Sequence, residues 1–164
     1  MLSKITAIND TLFLGYSSLK NVILPKGITE IKFKTFANSG LENIVLTDNI
    51  TTIGSSAFQG CASLTIVTIP NNVTTIEASA FEGCTYLNTI TVPNSVTKIE
   101  GRAFAHCKSL KSISFPENIT KISYSTFEGC SSLISFSVPN NVTRIEAGAF
   151  AKCDNLTSIE IPEG

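Results

Sequence analysis

The chain has 164 residues, 43% of them hydrophobic and 15% charged, a charged share well below the roughly 25% of an average chain. A formal net charge of −1 supplies no long-range field, which argues against nucleic acid as a partner. No apolar run approaches the ~20 residues of a membrane span, and Met1-Leu2-Ser3-Lys4-Ile5 shows neither the apolar stretch nor the small-residue cleavage site of a secretory leader.

In chain order, the first two units, Ile5–Leu24 and Ile28–Leu46, are the least regular. The second is one residue short in Phe36-Ala-Asn-Ser-Gly-Leu41. Lys20, Lys26, Lys32 and Lys34 gather here against Glu30 and Glu42 and read as a solvated face. From Ile53 onward one phrase recurs, with phenylalanine at Phe58, Phe81, Phe104, Phe127 and Phe150, a constant step of 23 residues. Cysteine keeps the same step from Cys61 to Cys153, and leucine from Leu64 to Leu156. Self-similarity at such a period marks a solenoid in which each repeat is one coil stacked on the next.

Each unit predicts two extended pieces joined by turns. In Leu87-Asn-Thr-Ile90-Thr-Val92 the apolar residues face inward while Thr89 and Thr91 alternate outward, the pattern of a half-buried strand. Pro93 ends that strand by withholding an N–H, and the other five prolines occupy the equivalent position. Asn94-Ser95 then turns the chain, Val96-Thr-Lys-Ile99 forms a second short extended segment, and Ala103-Phe104 closes the far side in a predicted helical turn. A lone coil buries too little to offset the entropy of ordering its backbone, so stability is expected to reside in the contacts between neighbours.

Residues Leu87 to Leu110 spell Leu-x-x-Ile-x-Val-Pro-Asn-x-Val-Thr-x-Ile-x-x-x-Ala-Phe-x-x-Cys-x-x-Leu in full, and this line resembles the BspA-like leucine-rich repeat. The resemblance covers essentially the whole chain and is strongest from residue 50 to 164. It implies a β-rich solenoid, a right-handed leucine-rich repeat coil with a concave parallel β-sheet, short strands and helical turns on the convex side. It further implies a non-enzymatic adhesion module, on the cell surface or secreted, engaging host cell or matrix proteins. An intracellular protein-interaction scaffold using the same face is the alternative. No cofactor follows from the family and no catalytic motif carries over. The chain is expected to be a single array over 1–164 of about seven 23-residue repeats, a fragment of a longer array, since it stops at Ile161-Pro162-Glu163-Gly164 where another unit would begin. Apolar coil ends left uncovered would favour end-to-end self-association.

The outward strand positions form the candidate binding face: Asn21 and Ile23, then Asn43, Val45, Ile66, Thr68, Thr89, Thr91, Ser112, Ser114, Ser135, Ser137, Ser158 and Glu160. This strip is neutral and hydroxyl-rich with an apolar end, and it lacks the Trp, Tyr and Arg that dominate binding hot spots. Five cysteines without a close Cys-x-x-Cys pair make zinc a poor reading. Disulfides between stacked coils are conceivable, but buried free thiols fit best. His106 is the single histidine, and sister coils keep the neighbouring cysteine without one, against a Cys-His catalytic pair. Glu77, Glu100 and Glu146 share a repeat position near Lys98, Lys121 and Arg144 and read as surface ion pairs between coils. Asn-x-Ser/Thr occurs at Asn9, Asn49, Asn72, Asn118, Asn141 and Asn155. Four of the six fall out of the repeat phrase itself. Phe33 and Tyr124 occupy a convex position that is small or polar elsewhere, either as a second contact patch or as local gap filling.

Overall fold

A computed structural model describes residues 5–163; Met1–Lys4, read above for a leader segment, and Gly164 lie outside the described residues. The chain winds as a parallel β-solenoid of about six turns. One face carries the three-residue strands β1 (Asn21–Ile23), β3 (Asn43–Val45), β5 (Ile66–Thr68), β7 (Thr89–Thr91), β10 (Ser135–Ser137) and β12 (Ser158–Glu160). The flank carries the two-residue strands β2 (Glu30–Ile31), β4 (Thr52–Ile53), β6 (Thr75–Ile76), β8 (Lys98–Ile99), β9 (Lys121–Ile122) and β11 (Arg144–Ile145). All pairings are parallel, and they join each strand to its counterpart one coil away, as in Ile66↔Thr89, Val67↔Ile90 and Thr68↔Thr91. On the concave face β1-β3-β5-β7 form one sheet and β10-β12 another; on the flank β2-β4-β6-β8 and β9-β11 do the same.

Alternation along each strand decides what is buried. In β3, β5, β7 and β10 the middle residue is buried and its two neighbours are exposed. Inside the coil, the phenylalanines form a column of near-parallel rings from Phe13 through Phe36, Phe58, Phe81, Phe104 and Phe127 to Phe150. Successive centroids lie 5.2 to 5.8 Å apart with interplanar angles of 4° to 16°. Such stacking follows from identical residues at a fixed step, each coil presenting its ring to the next.

The convex side is a run of hydrogen-bonded turns, with no helix among the described residues. Two positions per coil explain the difference from the expected helical turn. Ser79 (φ 57°) and Gly83 (φ 73°) are left-handed, as are Ser56 and Gly60, and Arg102 and His106, and a right-handed helix cannot pass through such residues. The reversals leave the backbone donors pointing alternately within and between coils. Ala80, Glu82 and Cys84 donate to the carbonyls three residues earlier, while Ser79, Phe81 and Gly83 donate to Gly101, Ala103 and Ala105 of the next coil. The convex side is thus a spine of hydrogen bonds linking coil to coil.

The one-residue deletion in the second unit has a visible consequence. Gly40 N–H donates to the Tyr16 carbonyl at 3.0 Å, and a Cβ on Gly40 would sit 1.9 Å from the Ser17 carbonyl oxygen. Shortening the loop has drawn two backbones into a contact that only glycine permits.

Candidate binding face

All twelve candidate residues from Asn43 to Glu160 are exposed on the face of the three-residue strands, but they do not form one continuous sheet. Asn43, Val45, Ile66, Thr68, Thr89 and Thr91 lie on the sheet β1-β3-β5-β7. Ser135, Ser137, Ser158 and Glu160 lie on β10-β12. Ser112 and Ser114 stand between the two in a segment that joins neither ladder.

The apolar end of the strip projects fully. Ile23 is 95% exposed, Val45 77% and Ile66 52%, where later coils present threonine and serine. Ile23 pairs directly with Val45, so two branched apolar side chains stand one strand spacing apart. Asn43, Val45, Asp48, Ile66, Thr68 and Pro70 border a shallow groove of about 400 Å³ at this end. Beside it the Lys20–Glu42 pair (3.0 Å) is half-exposed on both sides, which makes it a weak contributor to stability.

The remaining candidates prove structural in place and partner. Each cysteine is a free buried thiol. The Cys84 S–H donates to the Phe58 carbonyl at 3.1 Å, and Cys61, Cys107, Cys130 and Cys153 repeat the bond to the phenylalanine one coil earlier. Burial pushes all five thiols up, Cys130 to about 12 and Cys84 and Cys107 well above the ordinary range. A thiol held that firmly protonated is a poor nucleophile and metal ligand. His106 adopts φ 59° where four other coils use glycine, and its ring lies over Gly129, where a Cβ would come within 2.4 Å of Nδ1. Tyr124 covers Gly101 in the same way, at 2.2 Å from such a Cβ, which supports local filling. Phe33, 45% exposed, has Lys34 Nζ 5.1 Å from its ring centroid.

Glu77, Glu100 and Glu146 share a task other than pairing with cations. Their carboxylates accept the backbone N–H of Ser55 (2.8 Å), Ala78 (3.2 Å) and Tyr124 (3.0 Å) one coil earlier. Of the ion pairs expected between coils only Lys121–Glu146 (3.7 Å) crosses from one coil to the next; Lys98–Glu100 (2.6 Å) and Arg144–Glu146 (3.7 Å) lie within a coil, and among the described residues Glu77 pairs with no cation. Asparagine also joins coils at four of the turns that follow the concave strand positions. Asn72, Asn118 and Asn141 donate from Nδ2 to Asp48, Asn94 and Glu117 carbonyls at 2.6, 2.6 and 2.8 Å, and Asn49 to Lys26. The amide nitrogen of those four Asn-x-Thr motifs is therefore already engaged in joining coils.

Sequence reading missed Arg102. It bridges Glu82 (2.5 Å) and Glu128 (3.1 Å), and Lys152 reaches Glu128 at 3.3 Å. The signal was present, since Glu82 and Glu128 share one repeat position with Ala105 between them. Burial works to raise the Glu82 carboxyl, but bonds from Arg102, Ser79 and Gln59 outweigh it and hold the group below the usual range. Bonds from Ser125 and Lys152 lower Glu128, and the bond from Lys98 lowers Glu100. Among the described residues no three His, Cys, Asp or Glu gather as a metal ion would require, and no helix is long and apolar enough to cross a membrane.

The repeat that builds the coil agrees with a family model. Residues 1–84 and 51–164 match the BspA type leucine rich repeat region, in six copies. The chain belongs to the BspA-type leucine-rich repeat family. A leucine-rich repeat protein from Bacteroides ovatus superposes with a TM-score of 0.89 at 32% identity, over 94% of this chain and 40% of that one. The leucine-rich repeat protein of T. pallidum gives 0.68 at 34%, over 87% and 62%. A leucine rich cell surface protein from Faecalibacterium prausnitzii gives 0.62 at 27%, over 94% and 57%. The BspA-type chain thus spans less than two thirds of each of these proteins. No curated protein matches the sequence.

Proposed function

We propose that this BspA-type solenoid is a non-enzymatic protein-binding module, displayed at the bacterial cell surface, that engages a host cell or matrix protein through its concave face. The observation that carries the reading is the apolar end of that face. Ile23, Val45 and Ile66 stand exposed on adjacent strands, where a merely solvated sheet would keep the threonine and serine of the later coils. Three such side chains supply the desolvated anchor a protein interface needs, and the hydroxyl strip from Thr68 to Ser137 supplies a neutral, hydrogen-bonding margin. With no Trp, Tyr or Arg on the strip, affinity from one array is expected to be modest and to grow when arrays are displayed in many copies. The likeness to a protein described as a cell surface protein of Faecalibacterium prausnitzii supports the location.

The test is capture of immobilised matrix proteins by wild type, by Val45→Arg and by the Thr89→Arg, Ser112→Arg double variant. These outward positions are exposed, so the variants keep the fold. Loss of capture in both variants supports the concave face; unchanged capture in both removes it. Surface labelling of intact cells of the source organism tests the location, and recovery only from the cytosol leaves the intracellular scaffold.

A further inference from the structure

We propose that the solenoid carries a built-in hinge at the junction between the coil 89–111 and the coil 112–134, which lets the two parts of the concave face change their mutual curvature about the convex spine. The hydrogen bonds between coils are periodic enough that a gap in them stands out. On the flank, Thr51, Thr74, Thr97 and Thr143 each donate both backbone N–H and Oγ1 to the residue one coil earlier. Among the described residues Thr120 makes neither bond to Thr97, and β8 and β9 do not pair. Thr97, Lys98 and Ile99 face Ile119, Thr120 and Lys121 across a cleft of about 130 Å³. On the concave face the same junction is open, because Ser112-Ile113-Ser114 pairs neither with β7 nor with β10.

The convex spine is intact at this junction. Arg102, Phe104 and His106 donate to the Tyr124, Thr126 and Glu128 carbonyls at 3.0, 3.0 and 2.6 Å, and Phe104 stacks on Phe127. The turn between the two open stretches still crosses the junction, Asn118 Nδ2 donating to the Asn94 carbonyl at 2.6 Å and the Glu117 N–H to Asn94 Oδ1 at 3.3 Å. Strand pairing missing on two sides with the spine closed on the third is the geometry of a hinge. Two departures from the repeat stand on its C-terminal side. Phe115 stands where neighbouring coils have Val92 and Val138, and Phe136 where they have Ile90 and Ile159. Their rings meet each other at 5.6 Å and pack on Phe127 at 5.5 and 5.2 Å, an aromatic cluster in the coils 112–134 and 135–157 beside the seam. Ser123 stands where Glu77, Glu100 and Glu146 stand in their coils, so no carboxylate reaches back for the Gly101 N–H. Its hydroxyl instead donates to the Ile99 carbonyl at 2.7 Å, where Glu77, Glu100 and Glu146 use their backbone N–H.

Amide exchange followed by NMR tests the open seam. The amides of Ser112, Ile113, Ser114 and Thr120 are expected to exchange about a hundredfold faster than those of Thr89, Ile90, Thr91 and Thr97, while Phe104 and His106 remain slow. Spin labels then test motion. With Thr68→Cys and Ser158→Cys across the junction, pulsed electron resonance should give a broad distance distribution; with Asn21→Cys and Thr89→Cys inside one part it should be narrow. The double variant Phe115→Val, Phe136→Ile should slow the four amides and narrow the first distribution. Equal exchange at the two sets of amides in wild type, or equally narrow distributions for both label pairs, overturns the hinge without recourse to the variant.

Discussion

Replacing Phe81 by alanine isolates what holds the coils together. Phe81 is fully buried and stacks on Phe58 at 5.2 Å and on Phe104 at 5.8 Å, so the substitution strips one ring from two interfaces at once. Deleting a buried phenylalanine costs about 3–5 kcal/mol, and aromatic pairing is worth about 0.5–1.5 kcal/mol per contact beyond burial. Phe81→Leu keeps most of the apolar volume and forfeits chiefly the pairing, so it should cost about 1–3 kcal/mol. At about 2–4 °C per kcal/mol for a chain of this size, Phe81→Ala should lower the melting temperature by about 6–20 °C. Phe13, half-buried at one end of the column, should be worth less. Exposed Thr91→Ala should fall within about 0.5 kcal/mol of wild type. Urea and thermal denaturation of the four variants provide the measurement. If Phe81→Ala costs no more than Thr91→Ala, neighbour packing through the ring column is not the source of stability and the argument from stacked coils is refuted.

Other consequences follow from the same contacts. Charged residues at Leu87 or Ile90, both buried, should be far more damaging than at Thr89; equal melting temperatures would contradict the inward and outward assignment. Glu82, Glu100 and Glu128 sit below the ordinary carboxylate value of 4.5 in the folded chain. Their contribution is therefore fully present above that value and lost as pH falls through the lowered folded ones. Melting temperature should fall on acidification below 4.5, and less steeply in Arg102→Ala; an identical slope in the variant would deny Arg102 its role. Gly40→Ala should cost about 1–3 kcal/mol, because the Ser17 carbonyl cannot retreat as a side chain could; a neutral effect in denaturant melts would show that the shortened loop yields. Cys84, Cys107 and Cys130 should resist thiol reagents at pH 8 and react fully in denaturant, since burial holds them protonated. Rapid labelling of the native protein would oppose that.

The period alone carried the fold, and it did so because a solenoid makes sequence distance and spatial distance the same quantity. Residues 23 apart had to meet, so the phenylalanine column and the inward cysteines could be read directly. Alternation gave the exposed strip for the same reason, since a strand sends successive side chains to opposite faces. What escaped was everything that depends on size or handedness rather than on polarity. Phe115 and Phe136 satisfy the inward apolar pattern as well as valine and isoleucine do, and only ring volume sets them apart. The left-handed residues of the convex turn include serine, lysine, threonine, asparagine, arginine and histidine as well as glycine, so a glycine rule reveals only part of them. Glutamate at the shared position offered itself as an ion-pair partner, yet its first task is the backbone N–H of the preceding coil.

The same distinction governs how the candidate site should be understood. A repeat template conserves its inward residues because every coil must match its neighbours, and that constraint says nothing about outward ones. The departures from the template are therefore where the proposed binding and flexibility are placed. Ile23, Val45 and Ile66 depart from hydroxyl to apolar at one end of the concave face, and Phe115, Phe136 and Ser123 depart in size and charge near the middle. The first set alters what the surface offers without touching the core, as 52–95% exposure requires. The second alters the core and thereby the surface, because loosening the segment at Ser112–Ser114 divides the face into two sheets. An array with the first set alone would be a rigid surface with one sticky end; with the proposed hinge, that end and the serine-lined remainder would meet a partner at different angles.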